Sequence, residues 1–385
     1  MPPGPLAELL TLANLDELAG DRCLRENTML RVCRADGSPS PRLTWMGRPV
    51  DRGFEEVVRA AGVSAALSEG YTLLFDALHR TWPPLRELCR RLSFEIGVPV
   101  VAGSFVTPAG NQGFKNHYDS LSVLIVQTVG SKSWQVHTPV LADPLPHQLW
   151  NERNLLTTDR ERLERGRPFL EAVLRPGHVL WIPRGWIHSA VATDEPSVHV
   201  SLGLESFTPY WLAKQLLQYL DAAPELRREL PWGIARDPGR LKVEVAETVR
   251  KLIEALGTID LEAATDEVAK EMRKGFPEPA RAPVSSILAN PIEPDTEVSL
   301  APESICGTIL HPDGKLELDL RDDRLVLDAE ASMALLSRWP MDSEAVVRAA
   351  DFAPELGEET ALRMVSSLAR AGVARVVRRS SPDLT

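Results

Sequence analysis

Short β-rich segments between about residue 100 and residue 206 constrain the fold of this chain more than any other feature. They are separated by Gly, Pro and Asn, and they read VPVVAGSFVTP, LSVLIVQTVG, KSWQVHTP, HVLWIP and SVHVSLGL. Strands of this length at turn-like spacing are typical of a β barrel or sandwich. We therefore expect an α+β chain with a β barrel over residues 101–206.

The region upstream of the barrel shows helical periodicity. Leucines recur at helical spacing in LAELLTLANLDELA and again in PPLRELCRRLSFEIG. In the second segment, Pro83 and Pro84 suit a helix start and Gly97 suits its end. Residues 1–100 are therefore predicted to form a helical flank that leads into the barrel.

The region downstream of the barrel, residues 207–280, is also predicted to be helical. It contains PYWLAKQLLQYLDAA and RLKVEVAETVRKLIEALGTIDLEAATDEVAKEMRKGF. The longer segment has apolar residues on one face and charge pairs at i,i+4 spacing on the other. Apolar helices appended to a β core often form a dimer surface, so we expect this region to pair two copies of the chain.

A third region, residues 281–385, follows the proline-rich linker PEPARAPVSSILANPIEPDTE. Its segments KLELDL and RLVLD alternate as strands around the turn RDD. Three short helices are then predicted in ASMALLSRWP, SEAVVRAA and EETALRMVSSLARAG, with a last strand in VARVVR. Short helices combined with strands in this order predict a winged-helix-like domain.

Charge and cysteine usage indicate the kind of binding partner and the cellular compartment of this protein. The net charge of −11 argues against a general nucleic-acid binder, which usually carries a basic face or tail. The four cysteines are scattered, form no CxxC pair and follow no secretory leader, which predicts reduced thiols in a cytoplasmic protein. No apolar run reaches the length of a membrane span.

Candidate metal ligands stand at the entrance to one predicted strand, in KNHYDSLSVLIVQ. His117 and Asp119 are two residues apart, so in extended chain their side chains point to the same face. His188, in PGHVLWIPRGWIHSA, offers a third ligand. Two histidines and one carboxylate on one face of an octahedral ion leave three positions open, as in non-haem Fe(II) oxygenases. The HxD spacing by itself is weak evidence, because surface loops contain it by chance.

The sequence around these residues resembles the Jumonji-C oxygenases, and within them the ribosomal oxygenase branch, also called cupin-like proteins. TPAGNQGFKNHYDSLSVLIVQTVGSKSW and LRPGHVLWIPRGWIHSA carry the resemblance, which covers roughly residues 70–206. The resemblance implies a double-stranded β-helix barrel, followed by dimerisation helices and a carboxy-terminal winged helix. That order matches the regions predicted above.

Carried over from the family, His117, Asp119 and His188 correspond to the ligands of Fe(II). Lys132, in GSKSW, stands where the family has a Lys or Arg that pairs with the distal carboxylate of 2-oxoglutarate. A buried carboxylate needs such a charge-assisted partner to offset its desolvation. Most strand lysines are merely solvated, but Lys132 lies between apolar strands at the family's spacing.

Strand alternation adds two further candidates for binding the cosubstrate. In SVHVSLGL, His199 and Ser201 share one face, and Val200, Leu202 and Leu204 share the other. A polar stripe that faces into a barrel can hydrogen-bond an acid, although both side chains could equally be ordinary hydrogen-bonded core residues.

The sequence departs from the family pattern close to these positions. Gly103 and Phe105 stand where relatives tend to have Asn and Tyr, and Asn116 stands where relatives often have Pro. The polar groups around the cosubstrate are therefore expected to differ from those of relatives.

The resemblance implies an Fe(II)- and 2-oxoglutarate-dependent dioxygenase that consumes dioxygen and hydroxylates a His or Arg side chain of a protein. A basic ribosomal protein would suit this acidic chain electrostatically. A peptide or small natural product remains an alternative substrate.

Two other classes of protein stay open. One is a non-catalytic cupin-like sensor with a DNA-binding winged-helix tail, which RVVRRS favours and the acidic segment ELDLRDDRLVLDAEAS disfavours. The other is a metal-dependent isomerase or hydrolase, which leaves Lys132 without a role.

Overall fold

The chain forms two compact units in the computed structural model, one reaching to Ser206 and one beginning at Phe207. The structure describes residues 5–44, 56–277, 292–305, 307–321, 323–339 and 345–377. Both helices and antiparallel sheets are present, so the predicted α+β class is confirmed. None of the helices in these ranges combines the length and apolarity needed to cross a membrane.

Helices surround the sheets of the first unit. Thr11 starts the first α-helix by a capping box, in which its hydroxyl accepts a hydrogen bond from the backbone N–H of Asn14. The apolar run before Thr11 is therefore interrupted and forms only a 3₁₀ turn, Pro5–Glu8. The predicted helix that ends at Gly97, where φ is +74°, is confirmed. The helices are α1 Leu12–Asp21, α2 Ala60–Ser68, α3 Leu78–Thr81, α4 Pro83–Ile96 and α5 Thr157–Arg165.

Nine strands among the described residues of the first unit form two antiparallel sheets. The strands are β1 Leu30–Cys33, β2 Thr72–Phe75, β3 Val100–Thr107, β4 Ser122–Val129, β5 Lys132–His137, β6 Leu170–Leu174, β7 Val179–Ile182, β8 Ile187–Ala192 and β9 Ser197–Leu204. The larger sheet has the order β1-β2-β3-β9-β4-β7, and the smaller has the order β6-β5-β8.

The five β-rich segments identified in the sequence correspond to β3, β4, β5, β7 and β9. The flank before residue 100 is not purely helical, because it also supplies β1 and β2, which extend the larger sheet. These strands have only four residues each, and β2 is buried along its whole length, so neither shows a long alternating pattern. Their pairing with β3 stabilises them, and sequence periodicity does not reveal such pairing.

Two separate apolar clusters explain how the side chains of β9 are distributed. Val198, Val200 and Leu202 pack with the leucines of the flanking helices on one side of the larger sheet. Between the two sheets lies a smaller cluster made of Val123, Ile125, Trp134, Val136, Leu174, Leu180 and Ile182. Because side chains alternate along a strand, His199 and Ser201 point to the side opposite the helices, as the alternation predicted.

The second unit begins with three helices, α6 Pro209–Gln218, α7 Pro238–Leu256 and α8 Leu261–Lys274. Most of the predicted proline-rich linker lies outside the described residues. The tail contains two three-stranded antiparallel sheets, in the orders β11-β12-β13 and β14-β10-β15. Its strands are β10 Glu297–Leu300, β11 Gly307–Leu310, β12 Leu316–Asp319, β13 Arg324–Leu327, β14 Val346–Arg348 and β15 Ala374–Val376.

Three helices complete the tail, α9 Ala329–Arg338, α10 Ala349–Leu356 and α11 Glu358–Ala371. One prediction was wrong in part: SEAVVRAA is not one helix, because Val346–Arg348 pairs with β10 as a strand and the helix starts at Ala349. A single core, which includes the fully buried Trp339 and Phe352, joins these helices to the strands.

Candidate metal centre

The three predicted metal ligands come together between the two sheets of the first unit. One ligand atom from each of His117, Asp119 and His188 lies within 4.8 Å of the other two. His117 and His188 also pair through the backbone, with N–H···O distances of 3.1 and 2.8 Å in the two directions. This pairing fixes the segment before β4 against β8 and explains why residues 69 or more positions apart in the chain can share one ion.

Each histidine is oriented by a carbonyl group two residues earlier in the chain. The Nδ1 atom of His117 lies 2.8 Å from the Lys115 carbonyl oxygen, and that of His188 lies 3.0 Å from the Trp186 carbonyl oxygen. A carbonyl oxygen can only accept, so Nδ1 carries the proton in both rings. The Nε2 lone pairs are left for a metal, which is the arrangement usual for histidine ligands.

Burial keeps His188 in the state that binds metal. Desolvation, and to a smaller extent the neighbouring His117, lower the pKa of His188 to about 4. The imidazole is therefore neutral at neutral pH, with its lone pair available. Two imidazole groups and the carboxylate of Asp119 form a donor set that fits a divalent iron site.

A cavity of about 330 Å³ opens beside these ligands. Its lining includes all three, together with Lys132 from β5 and with His199 and Ser201 from β9. The sheets thus bring every predicted site residue to one cavity. Trp134 of β5 also lines it.

Lys132 lies at the buried end of this cavity, with 3% of its surface exposed. Its Nζ atom donates to the hydroxyl of Thr107 at 3.0 Å. No carboxylate of the described residues lies within ion-pair distance of it, and burial lowers its pKa to about 7. A buried ammonium group without an anionic partner is costly, so this position favours an incoming carboxylate.

His199 lies beside Lys132 and is also buried. Its ring stacks on Phe105 with a centroid distance of 4.8 Å and an interplanar angle of 8°. Desolvation, then Lys132 and His188, hold the pKa of His199 well below its usual range. Its Nδ1 atom has no hydrogen-bond partner among the described residues, so this histidine is not a satisfied core residue.

Two histidines outside the cluster, His79 and His311, have partners of their own. His79 accepts a hydrogen bond from the Ala102 N–H at 3.1 Å, and His311 lies 3.1 Å from Glu317. Trp186 contributes its carbonyl group to His188 and packs its ring on Phe169.

Sequence reasoning missed the part of the cavity wall that comes from the flank. Arg31 on β1 and Leu74 on β2 line the cavity, as does Phe114 before the first ligand. Neither strand carried a motif, so their place in the site emerges only from the pairing of β1, β2 and β3.

The fold and the site together define a cupin-type barrel with a two-histidine, one-carboxylate centre. Residues 81–211 match the family model described as the JmjC domain. The matched residues include all three metal ligands and the segments that carry the resemblance.

Two curated proteins of the same name are similar to this chain in sequence. The chain is 29% identical over 222 residues to the bifunctional lysine-specific demethylase and histidyl-hydroxylase NO66 of Drosophila persimilis, covering 52% of this chain and 30% of that protein. It is 33% identical over 154 residues to the protein of the same name from Dictyostelium discoideum, covering 39% of this chain and 29% of that protein. The chain thus spans less than a third of the length of these two relatives.

Two solved structures of Escherichia coli YcfD share the fold over nearly the whole chain. One has a TM-score of 0.53 at 17% identity and covers 95% of this chain and 91% of that chain. The other, a ribosomal oxygenase in complex with cobalt and 2-oxoglutarate, has a TM-score of 0.50 at 16% identity and covers 95% and 90%. These two structures share the fold of this chain, and the JmjC match is in line with the resemblance described in the sequence.

Proposed function

We propose that this protein is an Fe(II)- and 2-oxoglutarate-dependent dioxygenase that hydroxylates a His or Arg side chain of a protein. One observation carries the proposal: the cluster of His117, Asp119 and His188 shares a cavity with the buried cation Lys132. An isomerase or a hydrolase would need the metal ligands but would leave Lys132 without a role.

Iron would be held by the Nε2 atoms of the two histidines and a carboxylate oxygen of Asp119. When bound, it supplies the oxidative chemistry that couples decarboxylation of 2-oxoglutarate to hydroxylation of a C–H bond. The protein holds the two imidazoles in one tautomer through the carbonyl groups of Lys115 and Trp186. These bonds fix the direction of the lone pairs before any metal arrives.

The cosubstrate would place its distal carboxylate at Lys132. Thr107 holds the ammonium group in position, and a carboxylate there would restore the charge that burial disfavours. His199 and Ser201 line the same cavity and are proposed as further hydrogen-bond partners of the acid. Phe105 stands where relatives tend to have Tyr, and His199 stacks on its ring, so His199 offers a polar group beside this position.

A protein substrate is supported by the relatives and by the volume of the cavity. The NO66 relatives are named as histidyl-hydroxylases and the YcfD structures as those of a ribosomal oxygenase. A cavity of about 330 Å³ is at the low end for ligand sites, so it has room for the cosubstrate and one side chain but not for a folded segment. A net charge of −11 favours a basic partner such as a ribosomal protein.

The test is succinate formation. The full chain is reconstituted with Fe(II) without oxygen, then mixed with oxygen and 2-oxoglutarate, and succinate is measured in the wild type, in His117→Ala and in the control His178→Ala. His178 is an exposed histidine outside the cluster. Succinate that disappears only in His117→Ala supports the oxygenase, whereas iron binding without 2-oxoglutarate binding or succinate favours the sensor.

We further propose that α7 pairs two copies of the chain. Five of its apolar side chains are exposed and fall on one face at helical spacing: Leu241, Val245, Val249, Ile253 and Leu256. An exposed apolar stripe of this length is unfavourable in a monomer and is typical of an interface. The tail after residue 292, with its three helices and two small sheets, is proposed to be winged-helix-like.

The reaction is proposed to take place in the cytoplasm. Cys23, Cys33 and Cys89 form no disulfide, as expected for a reducing compartment.

A further inference from the structure

The cavity beside the metal ligands has two ends of different character. Its inner end is closed by Lys132, Trp134 and His199, which are all buried. Its outer end, here called the mouth, is formed by Arg31, Phe114 and Asp119, whose side chains reach solvent. The cosubstrate belongs at the inner end, so the mouth is where a substrate must make its first contacts.

Arg31 belongs to one row of side chains that crosses the larger sheet. In the strand register, Arg31 is opposite Leu74, Leu74 is opposite Phe105, and Phe105 is opposite His199. Residues directly opposite one another share a face, so all four point into the cavity. Three strand spacings separate His199 from Arg31, which corresponds to roughly 14 Å. The walls between them are apolar.

Asp76 holds the guanidinium group of Arg31 at the mouth. The Nε and Nη2 atoms of Arg31 donate to the two carboxylate oxygens of Asp76 at 2.6 and 3.0 Å. A guanidinium group has five N–H donors, so three are left for other acceptors. Its side chain is about half exposed, which keeps those donors accessible, while the bidentate bond removes most of its rotational freedom.

The charge of this pair selects the kind of acceptor. Asp76 already offsets the positive charge of Arg31, and its carboxylate would repel a second carboxylate bound beside it. The remaining donors therefore suit a neutral acceptor. The acceptor that every peptide offers is a main-chain carbonyl oxygen.

We propose that Arg31 recognises its substrate by donating hydrogen bonds to a main-chain carbonyl group of an extended peptide. The hydroxylated side chain then runs along Leu74, Phe105 and Phe114 toward the metal ligands. This inference rests on the proposed function and specifies its substrate class as peptide and not as free amino acid or small acid. Arg31 is thus a specificity-determining residue contributed by the flank.

The test uses proteins extracted from purified ribosomes and digested to peptides, with the free amino acids His and Arg as the comparison. Succinate and peptide mass shifts of one oxygen are measured with the full chain and with Arg31→Met and Arg31→Lys. Arg91→Met is the matched control, because Arg91 is an exposed, ion-paired arginine on α4 that does not line the cavity. Circular dichroism establishes that each variant is folded.

In the wild type, peptides but not free amino acids are expected to raise succinate formation. Arg31→Met is expected to raise the KM for the hydroxylated peptides by roughly tenfold or more, with a smaller change in kcat, since a hydrogen bond from a charged donor is lost. Arg31→Lys should lie between the two, and Arg91→Met should equal the wild type. Asp76→Asn should shift the hydroxylated peptides toward those with an acidic neighbour.

Three results would overturn this assignment: a KM unchanged in Arg31→Met, stimulation by free amino acids as strong as by peptides, or succinate formation that no peptide stimulates. The third result would be compatible with the proposed oxygenase activity but would contradict a peptide substrate. A wild type that makes no succinate from 2-oxoglutarate under any condition refutes the proposed function itself.

Discussion

The Nε2 atom of His188 lies 3.5 Å from the Oδ2 atom of Asp119, although the histidine is almost fully buried and the carboxylate is 43% exposed. The buried partner is fixed by the backbone and by the Trp186 carbonyl group. The exposed partner lies on the side of the site from which a substrate can approach. The centre therefore combines a rigid inner ligand with a ligand at the mouth of the cavity.

Asp119→Asn is expected to weaken Co(II) binding by at least about 100-fold, since even residues that only support a ligand are worth about 10–100-fold. The substitution removes the anionic ligand but leaves a half-exposed side chain of the same shape, so the fold should persist. Isothermal titration calorimetry measures the affinity. Asp143→Asn, an exposed aspartate that pairs with Arg184, is the control and should bind like the wild type. Equal affinities in both variants would exclude Asp119 as a ligand.

The affinity for 2-oxoglutarate is expected to fall as pH rises above about 7. The pKa of Lys132 is lowered to about 7 by burial, so below this pH the ammonium form is present and binds the carboxylate directly. Above it, binding must first take up a proton, and the Kd rises by up to about tenfold per pH unit until the pKa of the bound form is reached. Titrations of the Co(II)-loaded protein between about pH 6 and pH 9 measure this slope.

Lys132→Arg shows whether the pH dependence of 2-oxoglutarate binding comes from titration of the Lys132 side chain. Arginine stays protonated throughout this range, so its Kd should not vary with pH, even if its larger head group weakens binding overall. A Kd of the wild type that stays constant across the range would show that Lys132 is not the partner of the carboxylate.

Gly130→Ala is expected to destabilise the protein more than Gly110→Ala. Both glycines have positive φ, +59° and +68°, which costs an alanine about 1–2 kcal/mol. A Cβ atom at Gly130 would also overlap the carbonyl oxygen of Pro196, whereas nothing lies within 4 Å of one at Gly110. Urea unfolding of the two variants measures the difference. Equal losses would mean that the turn before Lys132 relaxes freely.

Ile253→Glu is expected to convert a dimer into a monomer. Ile253 is 66% exposed on the apolar stripe of α7, and a charge in the middle of a buried interface would be desolvated without a partner. Val243→Glu is the matched control, because Val243 is equally exposed on the same helix but outside the stripe. Light scattering after size-exclusion chromatography gives the mass. A wild type that is monomeric at all concentrations would contradict the proposed interface.

Much of the site could be predicted from local sequence. The HxD spacing placed His117 and Asp119 on one face, and the alternation in β9 placed His199 and Ser201 on one face, because both depend only on the geometry of extended chain. The helix end at Gly97 likewise follows from local capping chemistry. The resemblance to relatives added the roles of His188 and Lys132.

Tertiary structure alone decided which distant segments meet at the metal centre. The backbone pairing of His117 with His188 brings the third ligand into place, and the pairing of β1 and β2 with β3 brings Arg31 to the mouth. Short strands such as β1 have little preference of their own, and their partners lie far along the chain. Non-local hydrogen bonds and packing fix their register, so no local pattern can specify which face of the cavity Arg31 lines.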